Sequence, residues 1–241
     1  MRKKRIIIIS ILILFSLLFY FRANITTIVM VKFLMNDQID RFNIELTHYQ
    51  LQSDFQYENT KKLSSSNISL IAPWMDYENS KDQKYRTIHT FTSGKSISFW
   101  NSENSNLLEK FKSDSNENKI KTLKKIVGEE AMNDPFLFEK SVYNSTANDV
   151  KFFIPRTEAA KLLMFLPIKS LSMFQTYINY FTNDKIRGFQ YDVPAKNKAT
   201  VIYFFDNEDN NYEIIISGDV SQNEIDFIIS SIKLKEQISK Q

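Results

Sequence analysis

The chain has 241 residues, of which 43% are hydrophobic and 24% charged, so it can form one well-cored domain with an appendage. It contains four glycines, two histidines and no cysteine. These counts exclude disulfide scaffolds, thiolate metal sites, cysteine nucleophiles and glycine-rich dinucleotide loops.

The positive charge is concentrated at the N-terminus. Residues 1–22 contain no acidic residue and five basic ones, which are Arg2, Lys3, Lys4, Arg5 and Arg22. The rest of the chain keeps 26 of the 31 basic residues against 28 acidic ones. A domain so close to neutrality lacks the positive field with which proteins bind phosphate backbones, and we expect no nucleic-acid partner.

An apolar run follows the first basic residues. In residues 6–21 only Ser10, Ser16 and the hydroxyl group of Tyr20 are polar. A bilayer crossing takes roughly 17–25 mostly apolar residues. The sequence therefore predicts a transmembrane helix that contacts the lipid bilayer through Ile6–Ile25.

A cleaved signal peptide and a buried soluble helix are the alternatives to this anchor. Signal peptides are cut after small residues, whereas residues 19–24 read Phe-Tyr-Phe-Arg-Ala-Asn. Basic residues before an apolar run favour a cytoplasmic N-terminus. We expect a single-pass protein of the inner (cell) membrane whose C-terminal domain is periplasmic or extracellular.

The pattern divides the chain into a basic stub and anchor (1–25), a juxtamembrane helix and linker (26–62) and a globular domain (63–241). A helical stripe follows the anchor and comprises Val31, Met35, Ile39, Phe42 and Leu46. It could pack on the domain or pair with a second copy as a short coiled coil. The serine-rich residues 58–66 are typical of a hinge.

Short strands and then helices are predicted in the first part of the globular domain. The expected strands are Ile68–Ala72, Arg86–Phe91 and Lys95–Trp100, with a hairpin turn at Ser93-Gly94. The expected helical features are Lys119–Val127, an N-cap at Asp134, a capping box at Thr146–Asp149, and a core helix at Arg156–Phe165 that Pro167 breaks or kinks.

The C-terminal third has the clearest pattern. The predicted strands are Thr176–Thr182, Lys185–Val193, Thr200–Phe205 and Tyr212–Ser217. A capping box at Ser221 precedes a helix with Ile225, Ile228, Ile229 and Ile232 on one face. Hairpins with helices grouped between and after them indicate an α+β fold, an antiparallel sheet of about six or seven strands with packed helices.

Two motifs resemble ligand-binding loops. Gly94-Lys95-Ser96 matches the end of a phosphate-binding loop, but His89 stands where a glycine is required and a strand follows, so we predict a hairpin turn. Asp206–Asn211 is rich in oxygen donors, as calcium loops are. Its sixth position is Asn211 and its twelfth is Ser217, so ordinary hairpin-loop chemistry is the favoured interpretation.

The remaining candidate site residues are histidines, paired carboxylates and tryptophans. His48 and His89 are the only imidazoles, and no nucleophile-elbow motif accompanies them. The carboxylate pairs Glu129-Glu130 and Asp206/Glu208 are also explained by solvated turns. Trp74 and Trp100 could line a pocket, although core packing is the commoner role of tryptophan. We assign no catalytic, cofactor or metal residue.

The sequence predicts a bacterial envelope protein whose anchored domain binds a protein partner, for example in toxin neutralisation or envelope assembly. The alternative is a membrane-tethered hydrolase with a dispersed active site around His89 or residues 206–209. A sensor or ligand-binding module with an aromatic pocket is the third hypothesis.

Overall fold

The computed structural model describes residues 2–30, 43–52, 54–100, 106–151, 155–172, 177–193 and 198–234. The chain forms two compact units. The helical unit comprises residues 1–45, 115–133 and 141–173, and the sheet unit comprises residues 46–114, 134–140 and 174–241.

The helices and strands are as follows. The α-helices are α1 (Arg2–Tyr20), α2 (Arg22–Val29), α3 (Leu107–Ser113), α4 (Glu117–Val127), α5 (Pro135–Tyr143), α6 (Arg156–Ser172) and α7 (Gln222–Ser230). The strands are β1 (Leu46–His48), β2 (Lys61–Ser64), β3 (Ile68–Ala72), β4 (Tyr77–Gln83), β5 (Arg86–Phe91), β6 (Ser96–Trp100), β7 (Ile178–Thr182), β8 (Arg187–Val193), β9 (Ala199–Phe205), β10 (Asn211–Ser217) and β11 (Lys233–Leu234).

The predicted α+β class with a large, mostly antiparallel sheet is confirmed. Eight strands form one sheet in the order β1-β7-β8-β9-β10-β6-β5-β4. All of its pairings are antiparallel except that of β1 with β7, which is parallel. A second sheet has the order β11-β3-β2, so the strands form two sheets rather than one of six or seven strands.

A large hydrophobic cluster of the sheet unit lies on one face of the large sheet. Phe99, Phe204 and Ile214 are 0% exposed and belong to one hydrophobic cluster with Leu70 of β3 and Ile228 of α7. Strand residues alternate between the two faces of a sheet, which explains why every second residue of β3 and β5 is buried. The three-stranded sheet and α7 therefore contribute to the same core as the large sheet.

In the helical unit, α2 and α6 pack together through both polar and apolar side chains. Thr27 is 0% exposed, and its hydroxyl group donates to the carbonyl oxygen of Ala159 at 3.1 Å. Leu162 and Leu166 of α6 form a small core with Ala147. Pro167 was predicted to break or kink this helix; a break is wrong, because α6 continues through Pro167 to Ser172.

A buried lysine joins three segments of the helical unit. Lys169 is 0% exposed. Its Nζ lies 2.7 Å from the carbonyl oxygen of Ile44 and 2.8 Å from those of Tyr143 and Ser145. Burial lowers the pKa of this ammonium group to about 8, against the opposing influence of two nearby carboxylates. An ammonium group has three N–H donors, so each carbonyl group can accept one hydrogen bond.

The segment between the anchor and the domain, residues 26–62, contains both helix and strand: it begins in α2, which extends to Val29. Most of the predicted helical stripe lies at residues 31–42, outside the described residues, and its last member, Leu46, begins the strand β1. The hinge predicted at residues 58–66 contains the strand β2. Strand β4 was not predicted, because six of its seven side chains are exposed and give no alternating pattern.

Several local signals of the sequence are confirmed. Strands β3 and β5 have the predicted bounds. The Asp134 side chain accepts a hydrogen bond from the backbone N–H of Leu137 at 3.0 Å, as an N-cap does. Capping boxes are present at Thr146, where they begin a 3₁₀ turn, and at Ser221, where α7 begins.

The side chains of α1 are exposed along its distal half. Ile11–Leu14 and every other large hydrophobic residue up to Tyr20 are 47–65% exposed. Within the part of the chain that is described, no helix combines the length and mean hydropathy of a membrane-spanning segment.

Candidate functional site

An open cleft of about 740 Å³ lies in the sheet unit beside the loop that joins β9 to β10. We call it the Asp206 cleft. Its lining residues come from the β7–β8 turn, from that loop and from the segment after α7; they are Lys185, Ile186, Asp206, Asn207, Glu208, Asn210, Tyr212, Ile232, Lys233 and Leu234. The volume is within the usual range of ligand pockets. The lining combines apolar side chains with charges of both signs.

The Asp206 carboxylate holds one wall of the cleft in place. Its Oδ1 accepts hydrogen bonds from the backbone N–H groups of Glu208 and Asn210 at 2.8 and 2.9 Å. Its Oδ2 accepts from the Asn210 side chain at 2.9 Å and from the Tyr212 hydroxyl group at 3.1 Å. Burial, followed by the charge of Asp206, raises the pKa of Tyr212 to about 12.

These contacts favour an ordinary hairpin loop over a calcium loop as the interpretation of residues 206–211. Asp206 uses its oxygens on the loop itself, which is the hairpin-loop chemistry that the sequence favours. Asp209 has a positive φ of 64°, a conformation that aspartate tolerates better than most residues. Within the described ranges, no group of three potential metal ligands is present.

Arg187 connects the acidic loop to the first turn of α5. Its guanidinium nitrogens lie 2.5 Å from Asp209 Oδ1 and 2.6 Å from Asp134 Oδ2. Burial disfavours the charge of Arg187, but the two carboxylates outweigh this effect and raise its pKa. The far side of the loop is therefore also held by charged hydrogen bonds, and the cleft wall is preorganised.

The segment at Gly94 that resembles a phosphate-binding loop forms a hairpin turn, as predicted. Gly94 has a φ of 79°, and Ser96 begins the strand β6. Lys95 Nζ lies 2.9 Å from Oε1 of Glu224, the capping-box glutamate of α7. The lysine is therefore the partner of a carboxylate in this structure.

Glu224 also binds Trp74, for which the sequence allowed a role either in a pocket or in the core. The indole N–H of Trp74 donates to Glu224 Oε1 at 2.6 Å, and its ring packs edge-on against Phe91. Burial alone raises the pKa of Glu224, but hydrogen bonds from Lys95, Trp74 and Ser221 outweigh it and lower the pKa to about 2. Trp74 is 6% exposed and belongs to the core.

The two histidines lie in different places. His89 is 7% exposed on the core side of β5, with its ring edge-on to Phe99 and its Nδ1 3.5 Å from the Tyr77 hydroxyl group. His48 is exposed in β1 and its ring lies 4.8 Å from that of Tyr180. Among the described residues, neither imidazole hydrogen-bonds to a carboxylate or to a serine hydroxyl group.

The buried position of His89 predicts a dependence of stability on pH. Burial lowers the pKa of His89 below its ordinary 6.5, although a Ser64 backbone group and the charge of Asp82 oppose this. The unfolded chain therefore takes up a proton at a higher pH than the folded chain does. The contribution of the neutral imidazole to stability is complete above 6.5 and decreases as the pH falls below that value.

We expect the His89→Gln variant to lose this part of the pH dependence, because glutamine does not titrate. The measurement is the urea midpoint of each protein at pH values above and below 6.5. The difference between variant and wild type should narrow as the pH falls. A constant difference across that range would show that His89 does not titrate differently in the folded and unfolded states.

A buried polar network that sequence reasoning missed ties α7 to the segment after β1. Asp226 is 0% exposed, and its Oδ2 accepts hydrogen bonds from the Tyr49 hydroxyl group at 2.8 Å and from the Gln52 backbone N–H at 3.2 Å. Gln222 donates to Asp226 Oδ1 at 2.8 Å and exchanges hydrogen bonds with the buried Gln190 of β8. The position of Asp226 next to the isoleucine stripe of α7 was the sequence signal that could have revealed this network.

An acid–tyrosine cluster lies on the other face of the large sheet. Tyr203 donates to Glu139 Oε1 at 3.3 Å, and Glu139 is 1% exposed. Burial raises the pKa of Tyr203, of Tyr191 and of Glu213. The cluster consists of acids and phenols. Glu139 Oε1 also accepts a hydrogen bond from the backbone N–H of Leu107 at 3.0 Å.

Comparisons with known proteins add no relative to this picture: no protein-family model, no curated protein and no solved structure matches the chain.

Proposed function

We propose that the protein is anchored in the inner (cell) membrane by the apolar helix α1 and that its sheet unit binds a protein partner on the non-cytoplasmic side. The exposure of α1 carries the proposal. A helix that is apolar on all sides is stable either inside a protein or in lipid, and the described side chains of α1 from Ser10 to Tyr20 are exposed.

The start of α2 limits the lipid-facing segment. Asn24 and Thr27 are buried in the helical unit, so the part that faces lipid ends near Phe21 rather than at Ile25. The sixteen residues 6–21, all helical except Phe21, span about 24 Å, which is less than the roughly 30 Å of a bilayer core. The flanking Arg5 and Arg22 can extend to the headgroups, and local thinning accommodates the rest.

We expect a single charge in the middle of α1 to lower the membrane-bound fraction of the protein. Leu14→Arg places a guanidinium group near the bilayer centre, at a cost of about 2.5–3.5 kcal/mol on insertion scales. The measurement is the distribution of full-length protein between membrane and soluble fractions. Leu14→Phe is the matched control and should stay with the membrane. Equal partitioning of both variants would contradict the anchor.

The orientation is tested by a reporter fused after Gln241. Because the basic residues precede the apolar run, a reporter that works only outside the cytoplasm should be active. Activity of a reporter that works only in the cytoplasm would reverse the proposed topology.

The Asp206 cleft is the surface that we assign to the partner. Its wall is held by the Asp206 and Arg187 hydrogen bonds, so binding orders few side chains. Among the described strands, β11 pairs on one side only, with β3, and Lys233 and Leu234 line the cleft. An extended segment of the partner can pair with such an edge and place side chains in the cleft.

The test is site-specific photo-crosslinking in cells that make the full-length protein. A photoreactive residue at Asn207 or Glu208, both exposed at the cleft, should give a discrete adduct. The same residue at Lys81, exposed on β4, should not. The identity of the adduct distinguishes toxin neutralisation from envelope assembly. Identical patterns at the cleft and at Lys81 would remove the cleft from the proposal.

A further inference from the structure

Helix α6 is apolar on two opposite faces. One face is buried and contains Ala159, Leu162, Phe165, Leu166 and Lys169. The other face is partly exposed and contains Ala160, Leu163, Met164, Pro167 and Ile168. We call the second face the α6 stripe. Its members follow the spacing i, i+3, i+4, i+7 and i+8, so they form one continuous band along the helix.

The composition of the α6 stripe is unusual for a surface that faces water. The outward side of a helix in a soluble domain is normally polar or charged, whereas all five residues of the α6 stripe are apolar. Lys161 follows Ala160 at the edge of the α6 stripe; its side chain is 25% exposed and its Nζ lies 3.9 Å from Glu158 Oε2. A long lysine side chain at the edge of an apolar band can reach lipid headgroups.

Helix α2 places α6 close to the end of the proposed anchor. Only Phe21 separates α1 from α2, and the helical hydrogen bonds continue across it: Phe21 N–H to Leu17 and Ile25 N–H to Phe21, each at 2.9 Å. Thr27, whose hydroxyl group binds the Ala159 carbonyl group, is seven residues after Tyr20. Seven residues of helix extend about 10 Å.

We infer that the α6 stripe lies in the membrane surface, with Leu163 and Met164 at the boundary between headgroups and acyl chains. This inference rests on the proposed anchoring through α1. The occupant is the lipid bilayer, because α2 holds α6 within one short helix of the point where α1 leaves it. Interfacial helices bury their apolar face about 5–10 Å below the headgroup surface.

A position of the α6 stripe in the membrane interface would also bring nearby basic side chains close to the lipid headgroups. Arg22 is exposed, and its guanidinium group lies 4.8 Å from the ring centre of Phe19. Arg22 and Lys161 are positioned to meet the phosphate groups of the lipid headgroups. The anchor and the α6 stripe then hold the helical unit at two points, which restricts its tilt relative to the bilayer.

The absence of cysteine from the sequence makes the test direct. Single-cysteine variants of the full-length protein are spin-labelled and reconstituted in vesicles of phosphatidylethanolamine and phosphatidylglycerol. The accessibility of each label to oxygen, which concentrates in lipid, is compared with that to a water-soluble nickel complex. The variants are Leu163→Cys, Met164→Cys, the anchor reference Leu14→Cys and the aqueous reference Lys125→Cys, an exposed position of α4.

We expect the oxygen-to-nickel ratio at Leu163→Cys and Met164→Cys to exceed that at Lys125→Cys several-fold and to shift towards that at Leu14→Cys. If Leu14→Cys is in lipid while both stripe positions resemble Lys125→Cys, or are shielded from both reagents, the inference is overturned and the anchor stands. If Leu14→Cys itself resembles Lys125→Cys, the proposed anchoring fails, and the inference fails with it.

Discussion

The Lys169→Met variant should lose the folded structure of the helical unit while the sheet unit keeps its own. Methionine fits the volume of the lysine stem but donates no hydrogen bond. The carbonyl groups of Ile44, Tyr143 and Ser145 then lose the ammonium group that lies 2.7–2.8 Å away. An unsatisfied buried acceptor costs about 1–3 kcal/mol. We therefore expect a total destabilisation of about 3 kcal/mol or more.

Hydrogen exchange measured by mass spectrometry separates the two units in this variant. Amides of α6 and of residues 141–149 should lose protection, and those of β9 and β10 should retain it. Lys161→Met is the matched control, because Lys161 lies on the same helix and has only a 3.9 Å ion pair with Glu158. Such an exposed pair contributes about 0–1 kcal/mol. Unchanged protection of α6 in Lys169→Met would show that water can replace the ammonium group.

Gly188→Ala should be the most damaging single-methyl substitution in the sheet unit. Gly188 lies in β8 directly opposite Phe204 of β9. A Cβ atom at this position would lie 2.4 Å from the carbonyl oxygen of Tyr203 and 2.6 Å from Cβ of Phe204. Neither neighbour is the mobile end of a long side chain, so the strands must separate. Overpacking of this kind typically costs about 1–3 kcal/mol, and we expect the upper end of that range.

The measurement is the urea midpoint followed by circular dichroism, with Gly94→Ala of the same unit as the control. Gly94 has a φ of 79°, but no atom lies within 4 Å of a Cβ at that position. The control therefore carries backbone strain without a clash, at a cost of about 1 kcal/mol. A smaller loss for Gly188→Ala than for Gly94→Ala would mean that β8 and β9 can move apart easily.

The elements that could be predicted are those whose signals are contained within a few residues. Strands β3 and β5 alternate in burial, and Ser221 and Glu224 form their capping box within four positions. Helix α6 shows where such reasoning stops. Proline disfavours a helix locally, but α6 continues through Pro167. Before it, Leu162 and Leu166 pack in a small core, and after it, Lys169 binds distant carbonyl groups.

The candidate site was less accessible to sequence reasoning than the fold. The oxygen-rich loop at Asp206 was recognised, and its hairpin-loop interpretation holds. The cleft beside it was not foreseen, because Lys185 and Lys233 are 48 positions apart in the chain. Buried polar residues such as Asp226 and Gln190 look like surface residues until their partners are known, since polarity alone indicates exposure.

The parallel strand β1 has a consequence for the order in which the chain folds. Leu46 pairs with Ile178, and Tyr49 binds Asp226 in the last helix. During synthesis, the residues next to the proposed anchor emerge early but find their partners only after most of the chain has been made. Contacts with such large sequence separation form slowly. The large sheet is therefore completed late, at its β1 edge. Strand β1 and Tyr49 can make their contacts only after the C-terminal third of the chain has been synthesised.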